Sequence, residues 1–140
     1  MSILKEEHFI GKVTQKALIT KGDLVLIARD VDDESIWELP GGRLNLDEVP
    51  AAGLRREIFE ELGVRVSVGD IIYTEQFHHT RDNIQGLLLV YRVTLPDEHA
   101  DFTLASDEVA EVKWISKSEL DNQTIYDDCY RALVDHFDKA

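Results

Sequence analysis

The stretch from residue 48 to 62 constrains this chain more than any other, because it reads as a helix with one face made almost wholly of acids. Asp47 stands where an N-cap belongs. Pro50 is tolerated in a first turn, since the amide it lacks would have no helical partner there, and Gly63 suits the left-handed residue just past a helix end. At about 100° per residue, with Glu48 at zero, Glu60, Glu57 and Glu61 fall at about 120°, 180° and 220°. Ala51, Ala52, Leu54, Ile58, Phe59 and Leu62 fill the arc from about 240° round to 40°. Arg55, at about 340°, lies inside that arc and is expected to snorkel or to pair with an acid from a neighbouring element. Like charges three and four apart destabilise a helix by about 0.2–0.5 kcal/mol per pair. Arg56 at about 80° offsets only part of this, whereas a divalent cation removes the repulsion. A solvated acidic face is the ordinary alternative for such a pattern taken alone.

The rest of the chain surrounds this helix with strands. Residues 13–20 and 24–28 are apolar runs about a Lys21-Gly22-Asp23 tip, which predicts a hairpin. Residues 29–35 read as a polar loop, and 37–42 as a strand end running into a glycine turn. Strand character returns over 64–77, a polar tip follows at 79–83, and 86–95 is a long apolar run expected to be central. Residues 96–106 read as a loop and 109–115 as a strand. Ser116 and Glu119 fit a capping box, and a last helix is expected from Thr124, with Tyr126, Tyr130, Leu133 and Phe137 packing at helical spacing. No repeat or linker interrupts the 140 residues, so a single domain over 1–140 is expected. Its class is α/β (α+β), a mixed sheet between helices.

Charge excludes one class of partner. With 28 acidic against 15 basic residues the net charge is −13, which argues against a nucleic-acid binder needing a basic footprint. A polyphosphate substrate stays compatible, because divalent cations can bridge two anions. The first eight residues place acids where a secretion signal wants an apolar stretch, and no run approaches the roughly 20 apolar residues of a membrane span. Cys129 is the lone cysteine, so a cytoplasmic location without membrane partner is expected.

Gly42, Glu48, Arg56, Glu57, Ile58, Glu60, Glu61, Gly63 and Val64 stand without a gap in the pattern glycine, five residues, glutamate, seven residues, Arg-Glu, aliphatic, any residue, Glu-Glu, any residue, glycine, aliphatic. This resembles the signature of the Nudix hydrolase family. A chance match in a chain this long has a probability on the order of 10⁻⁸. The approach at 37–42 and the strand at 107–114 also look like the family's. Gly53, where the family often has alanine, costs about 0.5–1 kcal/mol in a helix interior. Asn45, where many members carry an acid, lies outside the fixed positions.

The resemblance implies a Nudix-like α/β/α sandwich and an enzyme that hydrolyses a nucleoside diphosphate linked to another moiety X, by water attack on phosphorus. It carries Mg²⁺, with Mn²⁺ as a substitute, to Glu57, Glu60 and Glu61 as ligands, with the Gly42 carbonyl as a further one. Glu57 doubles as candidate general base, and Glu108 or Glu111 is the alternative, with Glu108 preferred at its loop end. Arg56 orients a carboxylate or contacts phosphate, and Glu48 ties the loop to the helix. Arg29 and Arg43 stand where members place basic residues against phosphate, a surface charge being the alternative. His78, with Phe77, His79 and Arg81, forms a cluster that could touch a base or leaving group, or be merely solvated. The lack of a proline between Gly63 and Leu95 argues against ADP-ribose, although Tyr73 and Tyr91 blur the corresponding mark for dinucleoside polyphosphates. Nucleoside triphosphates, oxidised ones included, or nucleotide sugars fit best. A nucleotide-sensing module without turnover is the alternative, disfavoured because all box glutamates are present; an acidic Ca²⁺-binding domain is weaker still, since no EF-hand-like loop occurs. Homodimers are common in the family, but no residue here demonstrates one.

Overall fold

A computed structural model describes residues 7–139, so Met1 to Glu6 of the N-terminal stretch discussed above lie outside the described residues. The strands are β1 (Lys12–Lys21), β2 (Leu24–Asp30), β3 (Asp33–Glu38), β4 (Gly41–Arg43), β5 (Ser67–His79), β6 (Ile84–Thr94) and β7 (Val109–Ile115). The helices are α1 (Pro50–Leu62) and α2 (Asp127–Lys139), and a 3-10 turn spans Lys117–Asn122. The sheet runs β3-β2-β1-β6-β5, with β4 on β1 and β7 on β2. β1 and β6 are parallel over Lys12 to Ile19, and the other pairs are antiparallel. The sheet is therefore mixed, and β6 lies between β1 and β5, as the apolar run predicts.

Alternation along the central strands gives each face its own core. Leu18, Leu88 and Val90 pack with Leu133 and Phe137 of α2. Ala17, Ile19, Tyr91 and Val93 pack with Leu54, Ile58 and Leu62 of α1. Those three α1 side chains are fully buried, each contributing about 1.5–3 kcal/mol. The result is a sandwich with one helix against each face of the sheet.

Four expectations are corrected. The helix starts at Pro50, not near Glu48, and its N-cap is Val49 in an extended conformation, without a side-chain cap. A residue before proline is pushed out of the helical region, so the helix cannot begin earlier, and Asp47 takes a left-handed φ of 63° in the preceding turn instead. The loop at 29–35 shrinks to a tight turn, because β2 continues to Asp30 and β3 starts at Asp33. The last helix starts at Asp127 because residues 124–126 are held extended by Trp37. The Trp37 amide donates to the Thr124 carbonyl (2.8 Å), and the Tyr126 amide donates to the Trp37 carbonyl (3.1 Å). Tyr126 thus precedes the helix and is exposed, whereas Leu133 and Phe137 are core. Finally, α1 buries a narrower stripe than the wheel suggests. Ala52 and Arg55 are exposed, Phe59 lies under Arg65 (4.5 Å), and Arg55 makes no ion pair among the described residues.

Candidate active site

Helix α1, the ends of β2, β3 and β4, and the residues leading into β7 build the site. β4 pairs with β1 in the register Lys16↔Gly41 and Gln15↔Gly42, bringing the glycine turn against the acid face of α1. Gly41 has a φ of 141°, and a Cβ there would come within 2.1 Å of the Gln15 carbonyl oxygen. A Cβ on Gly42 would come within 2.9 Å of the Glu57 carboxylate. Only glycine lets this backbone pass so close to the helix.

The box acids divide into two groups. Glu57 and Glu61 line a cavity of about 240 Å³ together with Arg29, Asp30, Asp32, Glu38, Gly41, Asp107 and Glu108. The Gly41 amide donates to Glu61 Oε2 (3.3 Å). Burial pushes the Glu61 carboxyl up to about 8, and the Glu57 charge adds to this against the opposing pull of Lys16. Glu60 lies beside this lining, where its charge still acts on Glu108. Arg56 Nη1 donates to Glu60 (3.0 Å), Nε and Nη2 grip Glu48 (2.8 and 3.2 Å), and Nη2 reaches Glu57 (3.3 Å). One guanidinium thus orders three glutamates. In return its hydrogen bonds, together with one from the Asn45 amide (3.2 Å), hold the Glu48 carboxyl below its ordinary range.

Glu108 faces the helix across the cavity. Desolvation and the charges of Asp107, Glu57, Glu60 and Asp30 raise its carboxyl above the ordinary value. Glu111 does not line the cavity and pairs with Arg29 Nη2 (2.7 Å). The geometry therefore separates the two acids that the sequence left as alternatives.

The remaining candidates lie to one side. Arg43 is 3.9 Å from Asp82 at the β5–β6 tip, His78 Nε2 is 2.9 Å from Asn83 Oδ1, and Arg81 is exposed. None of the three lines the cavity. Lys16 escaped the sequence reading. It is buried, and its ammonium stands 3.4 Å from Glu38 on the cavity wall. Burial opposes its charge, but Glu38 foremost holds it protonated above the ordinary range. Its sequence signal is a lone lysine inside a buried apolar run. Asp30, Asp32, Glu38 and Asp107 were also missed, because acids in turns and at strand ends carry no mark of what they face.

Among the described residues no three His, Cys, Asp or Glu side chains close on one point as a finished metal site. The donor chemistry nonetheless fits a hard divalent cation: Glu57 and Glu61 share the cavity, and a glycine turn leaves room beside Glu57.

A family model described as "NUDIX domain" matches residues 13–137. A "MutT-like protein" from Streptomyces ambofaciens is 34% identical over 111 residues, covering 79% of this chain and 68% of the relative. A "CTP pyrophosphohydrolase" from Escherichia coli (strain K12) is 29% identical over 106 residues, covering 74% of each chain. Among solved structures, the MutT protein from Methanosarcina mazei Go1 superposes with a TM-score of 0.75 at 26% identity, covering 91% of this chain and 93% of that one. A NUDIX hydrolase from Nitrosomonas europaea gives 0.77 at 17% identity over 91% and 88%, a likeness of fold.

Proposed function

The chain belongs to the Nudix hydrolase family, and from that premise we propose that it is a metal-dependent pyrophosphohydrolase. It cleaves a nucleoside diphosphate linked to another moiety, with a nucleoside triphosphate or a nucleotide sugar as the preferred class. The observation that carries this reading is the shared cavity, where two box glutamates face Glu108 beside the glycine turn. Relatives described as CTP pyrophosphohydrolase and, at 37% identity over 67 residues, as putative 8-oxo-dGTP diphosphatase 2 support a nucleotide substrate.

Glu57, Glu60 and Glu61 would hold Mg²⁺, or Mn²⁺ in its place, with the Gly42 carbonyl beside them. When bound, such an ion supplies charge neutralisation of the phosphates and acidifies the attacking water. The chain's own residues do the rest. Arg56 and Glu48 fix the carboxylates, and Glu108, with its raised carboxyl, accepts the water's proton as the oxygen attacks phosphorus and the anhydride P–O bond breaks. Arg29 binds phosphate. Arg43 of β4 reaches Asp82 of the β5–β6 hairpin, whose tip carries His78 and Arg81, and these three can meet the distal part of a substrate.

We read residues 1–140 as one domain of this kind, acting in the cytoplasm on a small molecule, without nucleic-acid or membrane partner. No helix among the described residues is long and apolar enough to cross a membrane. Size-exclusion chromatography with light scattering tests whether a homodimer forms. The activity test is Mg²⁺-dependent hydrolysis across dNTPs, NTPs, ADP-ribose, nucleotide sugars and diadenosine polyphosphates, with Glu60→Gln as control. Turnover of one class, lost in the variant, is expected. Nucleotide binding without any turnover replaces the enzyme by a sensor.

A further inference from the structure

Arg29 is held unusually firmly for a residue at a strand end. In the sheet it stands directly opposite Trp37 of β3 on one side and Glu111 of β7 on the other. Side chains in such a cross-strand row share one face and interact. Its Nη2 donates to Glu111 Oε1 (2.7 Å), its Nη1 donates to the Glu34 carbonyl (3.0 Å), and its Cζ lies 5.2 Å from the Trp37 ring centroid. Lys113 Nζ stands 4.3 Å from the same ring.

These bonds use two of the five N–H donors of the guanidinium. Arg29 Nε is buried and has no hydrogen-bond partner among the described residues. An atom so enclosed meets no solvent, so the donors left for a ligand are the second N–H groups of Nη1 and Nη2. The pairings of β2 with β3 and with β7 both shift register between Arg29 and Asp30. Such a bulge re-aims side chains, and here consecutive residues Ala28, Arg29 and Asp30 all reach the cavity, which plain alternation would not allow. Among the described residues Arg29 is the one cation lining it, against seven acids.

We infer that Glu111 and Trp37 are positioning residues that preset Arg29, so that the exposed part of its guanidinium takes a phosphate oxygen of the substrate. This rests on the polyphosphate reading of the cavity. It assigns Glu111 to the arginine and leaves it no part in proton transfer. The donor's place, beyond its charge, is what the substrate meets, and a lysine at this position cannot reproduce it.

Two readouts test the inference: the split of KM against kcat on the best substrate, and calorimetric binding of inorganic triphosphate with Mg²⁺. Arg29→Lys is expected to weaken triphosphate binding and raise KM about tenfold, with kcat changed less than about threefold. Glu111→Ala is expected to do the same to a smaller degree, and Glu111→Gln, which keeps the acceptor, to restore part of the loss. Thermal melts establish that each variant is folded. Wild-type affinity in Arg29→Lys overturns the preset donor, as does a collapse of kcat at constant KM in Glu111→Ala. Wild-type protein that does not bind triphosphate overturns it too. Protein that binds triphosphate in an Arg29-dependent way but hydrolyses nothing leaves the clamp standing and removes the hydrolase reading instead.

Discussion

Glu61→Gln should make the metal-free protein more stable while abolishing its activity. The Glu61 carboxyl ionises at about 8 instead of 4.5, because burial and Glu57 oppose its charge. A group whose folded value is raised contributes stability that is complete below the unfolded value and is lost as pH rises through the folded one. The window therefore runs from about pH 4.5 to about pH 8. At about 1.4 kcal/mol per pH unit, the difference corresponds to roughly 5 kcal/mol, an upper bound because the cavity opens to water. Screening brings the expected gain at pH 9 to roughly 2–4 kcal/mol, or a rise in Tm of roughly 10 °C. The glutamine keeps an oxygen for the Gly41 amide, so the turn is retained. The assay is thermal melting in EDTA from pH 5 to 9, repeated with Mg²⁺. Wild-type Tm should fall across the window while the variant stays level, and Mg²⁺ should raise wild type more than the variant. Parallel pH slopes, or a variant no more stable than wild type at pH 9, would refute the buried-carboxylate argument.

Arg56→Ala frees Glu48, Glu57 and Glu60 together, and is expected to lower kcat/KM by about 10–100-fold in steady-state assays. Gly53→Ala should gain about 0.5–1 kcal/mol of helix stability from propensity. The new Cβ would, however, lie 2.5 Å from Glu48 Oε1, so that side chain must move off Arg56. The net expectation is no gain in Tm together with reduced activity; a variant that is both more stable and fully active would show that Glu48 relocates freely. Ile58→Ala, at a fully buried position between α1 and the sheet, should cost about 2–5 kcal/mol in urea unfolding.

The acidic face of α1, its closing glycine and the central place of β6 were legible in the sequence, because 3.6-residue spacing and long apolar runs are local signals. The box residues were legible for the same reason: their spacing along one helix survives folding unchanged. Where helices begin was less so. Pro50 set the start of α1 by a local rule that outweighed Asp47. By contrast, the start of α2 depended on backbone bonds to Trp37, some ninety residues earlier.

Sequence alone therefore determined the family, the sheet-and-helix class and the carboxylates available to the site. Tertiary structure decided how they are used. It put Glu61 in the cavity, parted Glu108 from Glu111, and buried Lys16 beside Glu38. Spacing along a helix says which side chains share a face, but burial, charge partners and cross-strand neighbours come from segments far apart in the chain. Those long-range contacts, which no local pattern encodes, raise the Glu61 and Glu108 carboxyls and decide which acids face the cavity.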